Sequence, residues 1–286
     1  MSTILIADSG STKTSWWLTD PGSGAVETVH TQGINPYYQD EDAIFNMLTD
    51  EFPDLPDQVS AIYFYGAGCA GPAVNDIVEK ALARYFKTGN ISVESDLMAA
   101  ARALCQHDPG IACILGTGSN SCLYDGTTIR QQVSPLGFIL GDEGSGGVLG
   151  RTLLSDVLKN QLPAEIIRKF YEAYPVNSAE ILENIYRKPF PNRYAARFTP
   201  FLLTNLDHPA VSALVENELD RFFSRNIVQY EYYQDFPVHF TGGIAWNFRE
   251  LLLRVASRYA FKTGKITPSP GEGLLEFHGF GQAKAE

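Results

Sequence analysis

The chain has 286 residues, 44% of them hydrophobic, which is enough to bury the core of one large domain or of two smaller ones. Its 22 Lys and Arg residues against 33 Asp and Glu residues give a net charge of −11. This balance argues against nucleic acid and against an anionic membrane surface as the main partner, because both select basic patches.

The sequence features that report on cellular compartment favour the cytoplasm. The opening segment, Met1–Asp8, has no basic stretch followed by a long apolar one, so no signal peptide is expected. No apolar run approaches the ~18 residues that a membrane-spanning helix needs. The four cysteines form no C-x-x-C pair and are interpreted as reduced packing residues. We therefore expect a cytoplasmic protein with no membrane partner and no nucleic-acid partner.

The first half of the chain is predicted to open with three strands and to continue with alternating helices and strands. An acidic segment at Asp40–Asp42 suits a helix start, because the helix dipole favours negative charge there. Pro72 also stands where a helix can begin. The predicted strands are Thr3–Ala7, Ser15–Leu18, Ala25–Thr31, Val59–Tyr65 and Ile91–Glu94, and the predicted helices are 40–51, 72–86 and Leu97–Cys105.

The second half repeats this opening of three strands and then becomes mostly helical. A glycine-dense segment at 141–147 follows the third strand, and prolines interrupt the helical region 148–233. The ordering is typical of α/β proteins in which helices cover a mixed sheet. The predicted strands are Ile111–Leu115, Ser121–Tyr124, Ile129–Val133, Val238–Thr241 and Gly264–Thr267, and later helices are predicted at Trp246–Phe261 and 271–286.

Two glycine-rich turns, 108 residues apart, occupy equivalent places in the two halves. In the first, Asp8 ends a strand and is followed by Gly10, Ser11, Thr12 and Lys13. Consecutive backbone N–H groups in such a turn form an anion-binding nest, and glycine allows close approach of a ligand. Lys13 adds a cation, and Asp8 is placed to hold Mg²⁺ through water. The segment is not a Walker P-loop, because it leads into a strand rather than a helix.

The second turn contains Gly116, Thr117, Gly118, Ser119 and Asn120. Thr117 and Asn120 add polar donors where a simple turn would need none. Two such turns, one in each half, predict that both halves bind one polyphosphate.

A third group of candidates consists of residues at predicted strand ends. Asp96 follows one strand and precedes a helix, so it is either a helix cap or a catalytic carboxylate, since open α/β sheets bind ligands at strand carboxyl ends. Transfer of a phosphoryl group to a hydroxyl calls for such a base. Asp142 and Glu143 lie in the glycine-dense loop, and the pair Gly242 and Gly243 follows a strand where a nucleotide could approach closely.

Four motifs together resemble the actin-like ATPase superfamily and, more narrowly, the BadF/BcrA-type ATPase family, which includes N-acetylglucosamine kinases. They are D-x-G-x-T-K-T at 8–14, G-T-G-S-N at 116–120, G-D-E-G-S at 141–145 and T-G-G at 241–243. The resemblance spans nearly the whole chain, and the spacing of the second and third motifs is its most specific part.

The resemblance implies an α/β fold of two ribonuclease-H-like (actin-like ATPase) lobes, with mixed sheets and a cleft between them for ATP and Mg²⁺. The lobes would be 1–108 and 109–286, with the C-terminal helix, from about residue 271, able to pack back on the first lobe. Asp8 would position the metal and Asp96 would be the catalytic base. The implied ATP-binding residues are Gly10, Ser11, Thr12, Lys13, Gly116, Thr117, Gly118, Ser119, Gly242 and Gly243, and the implied sugar-binding residues are Asn35, Gly68, Asn120, Gly137 and Asp142.

The implied function is ATP-dependent phosphorylation of an amino sugar, with N-acetylglucosamine converted to its 6-phosphate as the leading reaction. Leu136 stands where some sugar kinases of this type have a large aromatic residue, which leaves the sugar open. Two alternatives remain. One is an ATP-driven activator of a dehydratase or reductase, which would need loop cysteines for an iron–sulfur cluster, and only Cys69 has a suitable context. The other is a non-catalytic ATP-binding regulatory module. A small-molecule sugar is the expected partner, and a homodimer stays open.

Overall fold

The computed structural model describes residues 3–10, 12–52 and 58–281. The chain divides into two compact units. Unit 1 consists of Met1–His107 together with Pro270–Glu286, and unit 2 consists of Asp108–Ser269. The C-terminal helix therefore belongs to the first unit although 162 residues separate it from the rest of that unit, counting from Asp108 to Ser269.

Within the described residues, unit 1 contains a five-stranded mixed sheet in the order β3-β2-β1-β4-β5. The first three strands are antiparallel neighbours, whereas β4 and β5 run parallel to β1. The strands are β1 (Thr3–Ser9), β2 (Lys13–Thr19), β3 (Val26–Gln32), β4 (Val59–Gly66) and β5 (Ile91–Ser95), and the helices are α1 (Glu41–Glu51), α2 (Pro72–Phe86), α3 (Asp96–Cys105) and α13 (Gly271–Phe277).

Helices cover both faces of this sheet, so the central strand β1 is apolar on both sides. Leu5, Ile6 and Ala7 are fully buried, as expected for a strand covered on two faces. One face packs around Trp16, whose ring meets Phe52 edge-to-face at 5.5 Å between centroids. The other face packs against α3 and α13.

The C-terminal helix α13 packs closely against α3. A Cβ added at Gly273 would overlap the backbone carbonyl of Ala103, and the amide Nε2 of Gln106 donates to the Gly273 carbonyl at 2.9 Å. The predicted helix at 271–286 is thus confirmed as far as Phe277, and residues 282–286 lie outside the described residues.

Unit 2 repeats the topology of unit 1. Its described residues contain a five-stranded sheet in the order β10-β9-β6-β7-β8, so β6 to β10 correspond to β1 to β5 in sequence. The strands are β6 (Gly110–Leu115), β7 (Ser119–Tyr124), β8 (Ile129–Gln131), β9 (Pro237–Thr241) and β10 (Lys262–Thr267). The repeat inferred from the two glycine-rich turns therefore extends to the whole sheet.

Unit 2 has one large apolar cluster that includes Leu153, Phe170 and Phe222, and its helices except the exposed α4 pack around this cluster. The helices are α4 (Gly137–Leu140), α5 (Gly146–Leu158), α6 (Ala164–Ala173), α7 (Ser178–Tyr186), α8 (Pro191–Ala196), α9 (Thr199–Thr204), α10 (Pro209–Arg225), α11 (Gly243–Asn247) and α12 (Arg249–Ala256), with short 3₁₀ turns at Ile227–Gln229 and Tyr233–Asp235.

The single helix predicted over Trp246–Phe261 is wrong. The chain forms α11 and α12, which are separated at Phe248, and it has left the helix before β10 begins at Lys262. Phe248 is 2% exposed and adopts φ −102° and ψ 20°, outside the helical region. Burial of its ring in the unit 2 core thus outweighs continuation of the helix. The last predicted turn is also absent, because α12 ends at Ala256.

Among the described residues, no helix is both long enough and apolar enough to cross a membrane.

We predict that Gly150→Ala destabilises unit 2. Gly150 lies inside α5, and an added Cβ would overlap the backbone carbonyl oxygen of Ala195 in α8. Overpacking against backbone should lower the free energy of unfolding by about 1–3 kcal/mol, as measured by urea denaturation. Gly243→Ala is the matched control, because this helical glycine has no atom within 4 Å of an added Cβ. Its free energy of unfolding should stay equal or rise by up to ~1 kcal/mol. Equal losses in the two variants would contradict the prediction.

Candidate active site

Two carboxylates, Asp8 and Asp96, interact at the carboxyl edge of the unit 1 sheet. Asp8 lies near the end of β1 and pairs with Tyr65 of the parallel strand β4, while Asp96 directly follows β5. Burial and the charge of Asp96 raise the pKa of Asp8 to about 7, and the cation of Lys13 opposes this shift. Three of the predicted site residues are therefore close enough to influence one another.

The structure decides which residue caps helix α3. The hydroxyl of Ser95 accepts from the backbone N–H of Met98 at 3.1 Å, so Ser95 is the N-cap and Asp96 is the first helical residue. Burial raises the pKa of Asp96, while hydrogen bonds from its own backbone N–H and that of Leu97 lower it. Asp96 is therefore not the N-cap residue, although its carboxylate accepts from two N–H groups in the first turn of α3.

Cys69 lies close enough to Asp96 for the charge of that carboxylate to act on its thiol. Its side chain is buried, and burial together with the charge of Asp96 raises the pKa of the thiol to about 12. A thiol in this state is a packing group and a poor metal ligand, because metals bind the thiolate.

Asn35 and Gly68, both predicted to bind sugar, are neighbours in unit 1. A Cβ added at Gly68 would lie 2.5 Å from Oδ1 of Asn35, and Gly68 has φ +87°, so glycine is required there for two reasons. The same Asn35 oxygen accepts from the backbone N–H of Tyr37 at 3.0 Å.

The buried hydroxyl of Ser9 fixes the loop that carries Asn35. It accepts from the backbone N–H of Ile34 at 2.8 Å, lies 3.1 Å from the Ile34 carbonyl oxygen, and contacts the Thr14 hydroxyl at 2.7 Å. Sequence reasoning did not find this role, because 25 residues separate Ser9 from Ile34 and no local pattern reports such a contact.

The first glycine-rich turn connects to the same loop. The backbone N–H of Gly10 donates to the Lys13 carbonyl at 3.0 Å and closes the turn, and the N–H of Gly33 donates to the Thr12 carbonyl at 3.1 Å. Ser11, predicted to bind phosphate, lies outside the described residues.

The second glycine-rich turn lies in unit 2, against the start of helix α5. Its Gly116 N–H donates to the Gly118 carbonyl at 3.0 Å. The carbonyls of Gly116 and Thr117 accept from the N–H groups of Gly146 and Gly147 at 2.8 and 2.9 Å. This pairing fixes the turn relative to the glycine-dense loop.

Asp142 reaches the same turn. One oxygen of its carboxylate accepts from the Ser119 N–H at 3.3 Å, and the other would lie 3.1 Å from a Cβ added at Gly118. Burial and the charge of Glu143 raise the pKa of Asp142 to about 6, against the lowering effects of the Ser119 hydrogen bond and of Arg151. A predicted sugar-binding residue and predicted phosphate-binding residues therefore meet in unit 2.

Gly242 also approaches this turn. It has φ +114°, and an added Cβ would overlap the carbonyl of Leu115, which directly precedes Gly116. Only glycine fits there. Gly243 begins α11 and has open space around it.

For Asn120 and Gly137, the other two predicted sugar-binding residues of unit 2, the described residues show no hydrogen bond to Asp142 or to the Gly116–Ser119 turn. The amide oxygen of Asn120 accepts from the Ser121 N–H at 2.9 Å and from Gln132 Nε2 at 3.0 Å, so protein groups occupy it. Gly137, with φ +72°, begins the short exposed helix α4 directly after Leu136, which is 59% exposed.

The donor set in unit 1 suits one Mg²⁺. In the described residues, no group of three or more His, Cys, Asp or Glu side chains could hold a metal ion. Mg²⁺ nevertheless binds through one or two carboxylates and substrate phosphates. The raised pKa of Asp8 shows that its charge is poorly compensated by protein groups, and a cation would compensate it.

Comparison with solved structures identifies the family, whereas no protein-family model and no curated protein matches the chain. The structure of a putative N-acetylglucosamine kinase from Porphyromonas gingivalis agrees with a TM-score of 0.91 and 46% identity, covering 96% of this chain and 98% of the other. This chain belongs to that N-acetylglucosamine kinase family.

Two more distant structures share the fold of this kinase family. A putative N-acetylglucosamine kinase from Chromobacterium violaceum has a TM-score of 0.72 at 19% identity, covering 96% of this chain and 98% of that one. A ROK-family glucokinase from Streptomyces griseus, in complex with glucose and AMPPNP, has a TM-score of 0.54 at 14% identity. The match covers 96% of this chain and 97% of that one. The family and the two-lobed α/β fold predicted from the sequence are confirmed.

We predict that Asp96→Asn lowers the pKa of Asp8 from about 7, because the substitution removes a neighbouring negative charge that raises it. Carboxyl carbon resonances, followed by NMR during a pH titration without Mg²⁺, would measure the change. Asp76→Asn is the control, since Asp76 is an exposed residue paired with Lys80, and it should leave the pKa of Asp8 unmoved.

The raised pKa of Asp8 also predicts how the free energy of unfolding changes with pH. Protonated Asp8 stabilises the folded chain below its unfolded pKa of 3.8, and this contribution is lost as the pH rises towards 7.

Proposed function

We propose that this chain is an ATP-dependent sugar kinase that phosphorylates an amino sugar, converting N-acetylglucosamine to its 6-phosphate. The observation that carries the proposal is 46% identity over 96% of the chain to a putative N-acetylglucosamine kinase. The arrangement of carboxylates and glycine-rich turns in the two units supports it.

Asp96 is the proposed catalytic base. Its carboxylate would accept the proton of the sugar hydroxyl while the hydroxyl oxygen bonds to the γ-phosphorus of ATP and the bond from that phosphorus to ADP breaks. Ser95 rather than Asp96 takes the N-cap position, and burial raises the pKa of Asp96, which strengthens it as a base. The base works deprotonated, so activity should fall on the acidic side at a higher pH than for an ordinary carboxyl group.

Asp8 is the proposed Mg²⁺ ligand, and the two glycine-rich turns are the proposed phosphate-binding segments. When bound, Mg²⁺ would neutralise charge on the transferring phosphoryl group. The backbone N–H of Thr12 and the side chain of Lys13 would bind phosphate oxygens, as would the N–H groups of Thr117 and Gly118 in the second turn. The N–H groups of Gly10 and Gly116 close their own turns and would hold these donors in place. Gly242 and Gly243 would border the adenosine, because they are next to the second turn and Gly243 is open.

The proposed sugar-binding residues fall into two groups. Asn35 and Gly68 form one group in unit 1, supported by their direct proximity. Asp142 and Gly137 belong to one short segment of unit 2, in which the Asp142 N–H donates to the Pro135 carbonyl at 3.0 Å. Asn120 would use its amide nitrogen, since its oxygen is occupied. A carboxylate and two amides suit the hydroxyl and acetamido groups of an amino sugar.

The two alternative functions are less well supported. An activator carrying an iron–sulfur cluster needs accessible thiolates, whereas all four cysteines are buried and the pKa of the Cys69 thiol is raised to about 12. A non-catalytic module has no use for the interacting carboxylates Asp8 and Asp96. A cytoplasmic location and a homodimer stay predictions.

A coupled assay of ADP release over a panel of hexoses and amino sugars tests the function. We expect the highest kcat/KM with N-acetylglucosamine, and phosphorus–proton coupling in the product should place the phosphate on O6. Release of ADP at the same rate with and without every sugar would overturn the proposal. Phosphorylation of a different sugar, or of a different hydroxyl, would correct the identity of the substrate and leave the sugar kinase assignment in place.

We predict that Asp96→Asn lowers kcat by about 10²–10⁴-fold, because a general base contributes that much to the rate. Far-ultraviolet circular dichroism should show an intact fold, and calorimetry should show little change in ATP binding. Asp76→Asn, which neutralises an exposed aspartate, is the matched control and should retain the wild-type rate. Near wild-type turnover in Asp96→Asn would exclude Asp96 as the base.

We predict that Asp8→Ala weakens the binding of Mg·ATP by at least about 10-fold and changes sugar binding by less than about twofold, because its proposed task is metal positioning. Separate calorimetric titrations with N-acetylglucosamine and with Mg·ATP measure the two effects. Loss of sugar binding with intact nucleotide binding would show that the assignment is wrong.

A further inference from the structure

The C-terminal end of helix α10 contacts the loop that carries Asp142. Arg225, the last residue of α10, donates from Nε to Oε1 of Glu143 at 2.5 Å. Glu143 is 6% exposed and the Arg225 side chain is 55% exposed. A buried carboxylate is thus held by a cation that reaches in from the surface across 82 residues of sequence. A hydrogen bond between two charged groups has a preferred geometry, so this pair restrains the position of the Glu143 side chain.

Glu143 occupies the centre of an irregular turn. Asp142 before it has φ +56° and Gly144 after it has φ +71°, so a residue in the left-handed region lies on each side of the anchored side chain. An aspartate in the left-handed region costs free energy and persists only where its surroundings hold it. Helix α10 makes a second contact with this turn, because a Cβ added at Gly144 would lie 3.0 Å from Cβ of Phe222 in that helix.

The turn sets the position of the Asp142 carboxylate. The Asp142 side chain accepts one long hydrogen bond, 3.3 Å from the Ser119 N–H, which by itself is a weak restraint. The Asp142 carbonyl accepts from the Ser145 N–H at 3.1 Å, and Ser145 is the N-cap of α5. Movement of Glu143 would therefore move Asp142 relative to the Gly116–Ser119 turn.

We propose that Arg225, through its ion pair with Glu143, is a positioning residue that holds Asp142 for the sugar. This inference rests on the proposed function, in which Asp142 binds the sugar. Arg225 itself touches neither substrate in this scheme.

Electrostatics gives the same pair a second, measurable effect. The groups whose charges act on Asp142 are Glu143, which raises its pKa, and Arg151 of α5, which lowers it, while the Ser119 N–H also lowers it. Arg225 faces Glu143 from α10. Neutralising Glu143 should therefore lower the pKa of Asp142.

Three variants separate positioning from simple stability. Arg225→Ala removes the pair and should raise the KM for N-acetylglucosamine by about 10–100-fold, because small misplacements of a binding group are costly, while the KM for ATP changes by less than about twofold. Arg225→Lys keeps the charge and should restore part of the loss. Glu143→Gln keeps an acceptor for Arg225 Nε and should lower the pKa of Asp142, as followed by its carboxyl carbon resonance in a pH titration.

Arg254→Ala is the matched control. Arg254 is 59% exposed and also pairs with a glutamate of α10, Glu216 at 2.8 Å, nine positions before Arg225 in the chain. The control should keep the wild-type KM for sugar and the wild-type pKa of Asp142. Equal KM values in Arg225→Ala and Arg254→Ala would overturn the proposal, as would an equal rise in the KM for ATP.

An activity-independent readout distinguishes this inference from the proposed function. The amide resonance of Ser119 reports on its hydrogen bond to Asp142, so Arg225→Ala should shift it and Arg254→Ala should not. A wild-type chain that phosphorylates none of the sugars overturns the proposed function, and the Ser119 shift still shows whether Arg225 positions Asp142. An unchanged Ser119 resonance in Arg225→Ala overturns the positioning role.

Discussion

The parallel pairing of the central strand with a following strand is the constraint on which the rest of each unit depends. β1 pairs in parallel with β4, and β6 pairs in parallel with β9, so the chain must cross over and cover the sheet with helices. The central strands are then buried on both faces, and polar groups collect where these strands end. Asp8 and the turn beginning at Gly116 lie at equivalent ends.

Buried carboxylates near these ends give each unit its own electrostatic character. Asp8, Asp96 and Asp142 all have raised pKa values because burial removes water from carboxylates that protein cations compensate only in part. Such groups are expected at functional sites. A ligand that brings positive charge to Asp8, or hydroxyl donors to Asp142, would relieve the unfavourable burial.

The sequence predicted the strands, most helices and the internal repeat because these depend on local periodicity and on glycine turns. It also indicated Asp96, and the structure places Ser95 rather than Asp96 at the N-cap of α3. Long-range contacts could not be predicted. The Ser9 hydroxyl and the Arg225–Glu143 pair join residues 25 and 82 positions apart, with no local signature. The break at Phe248 likewise depends on burial in a core that local helix propensity does not describe.

Burial of Cys69 has a practical consequence for studying the protein in solution. With a pKa of about 12, its thiolate fraction at pH 7 is on the order of 10⁻⁵. Alkylating reagents attack the thiolate, so the folded chain should react extremely slowly at this position. Reaction would instead follow brief local openings of unit 1, in which the thiol regains an ordinary pKa. The alkylation rate of Cys69 is therefore a built-in measure of how often the surroundings of Asp96 open.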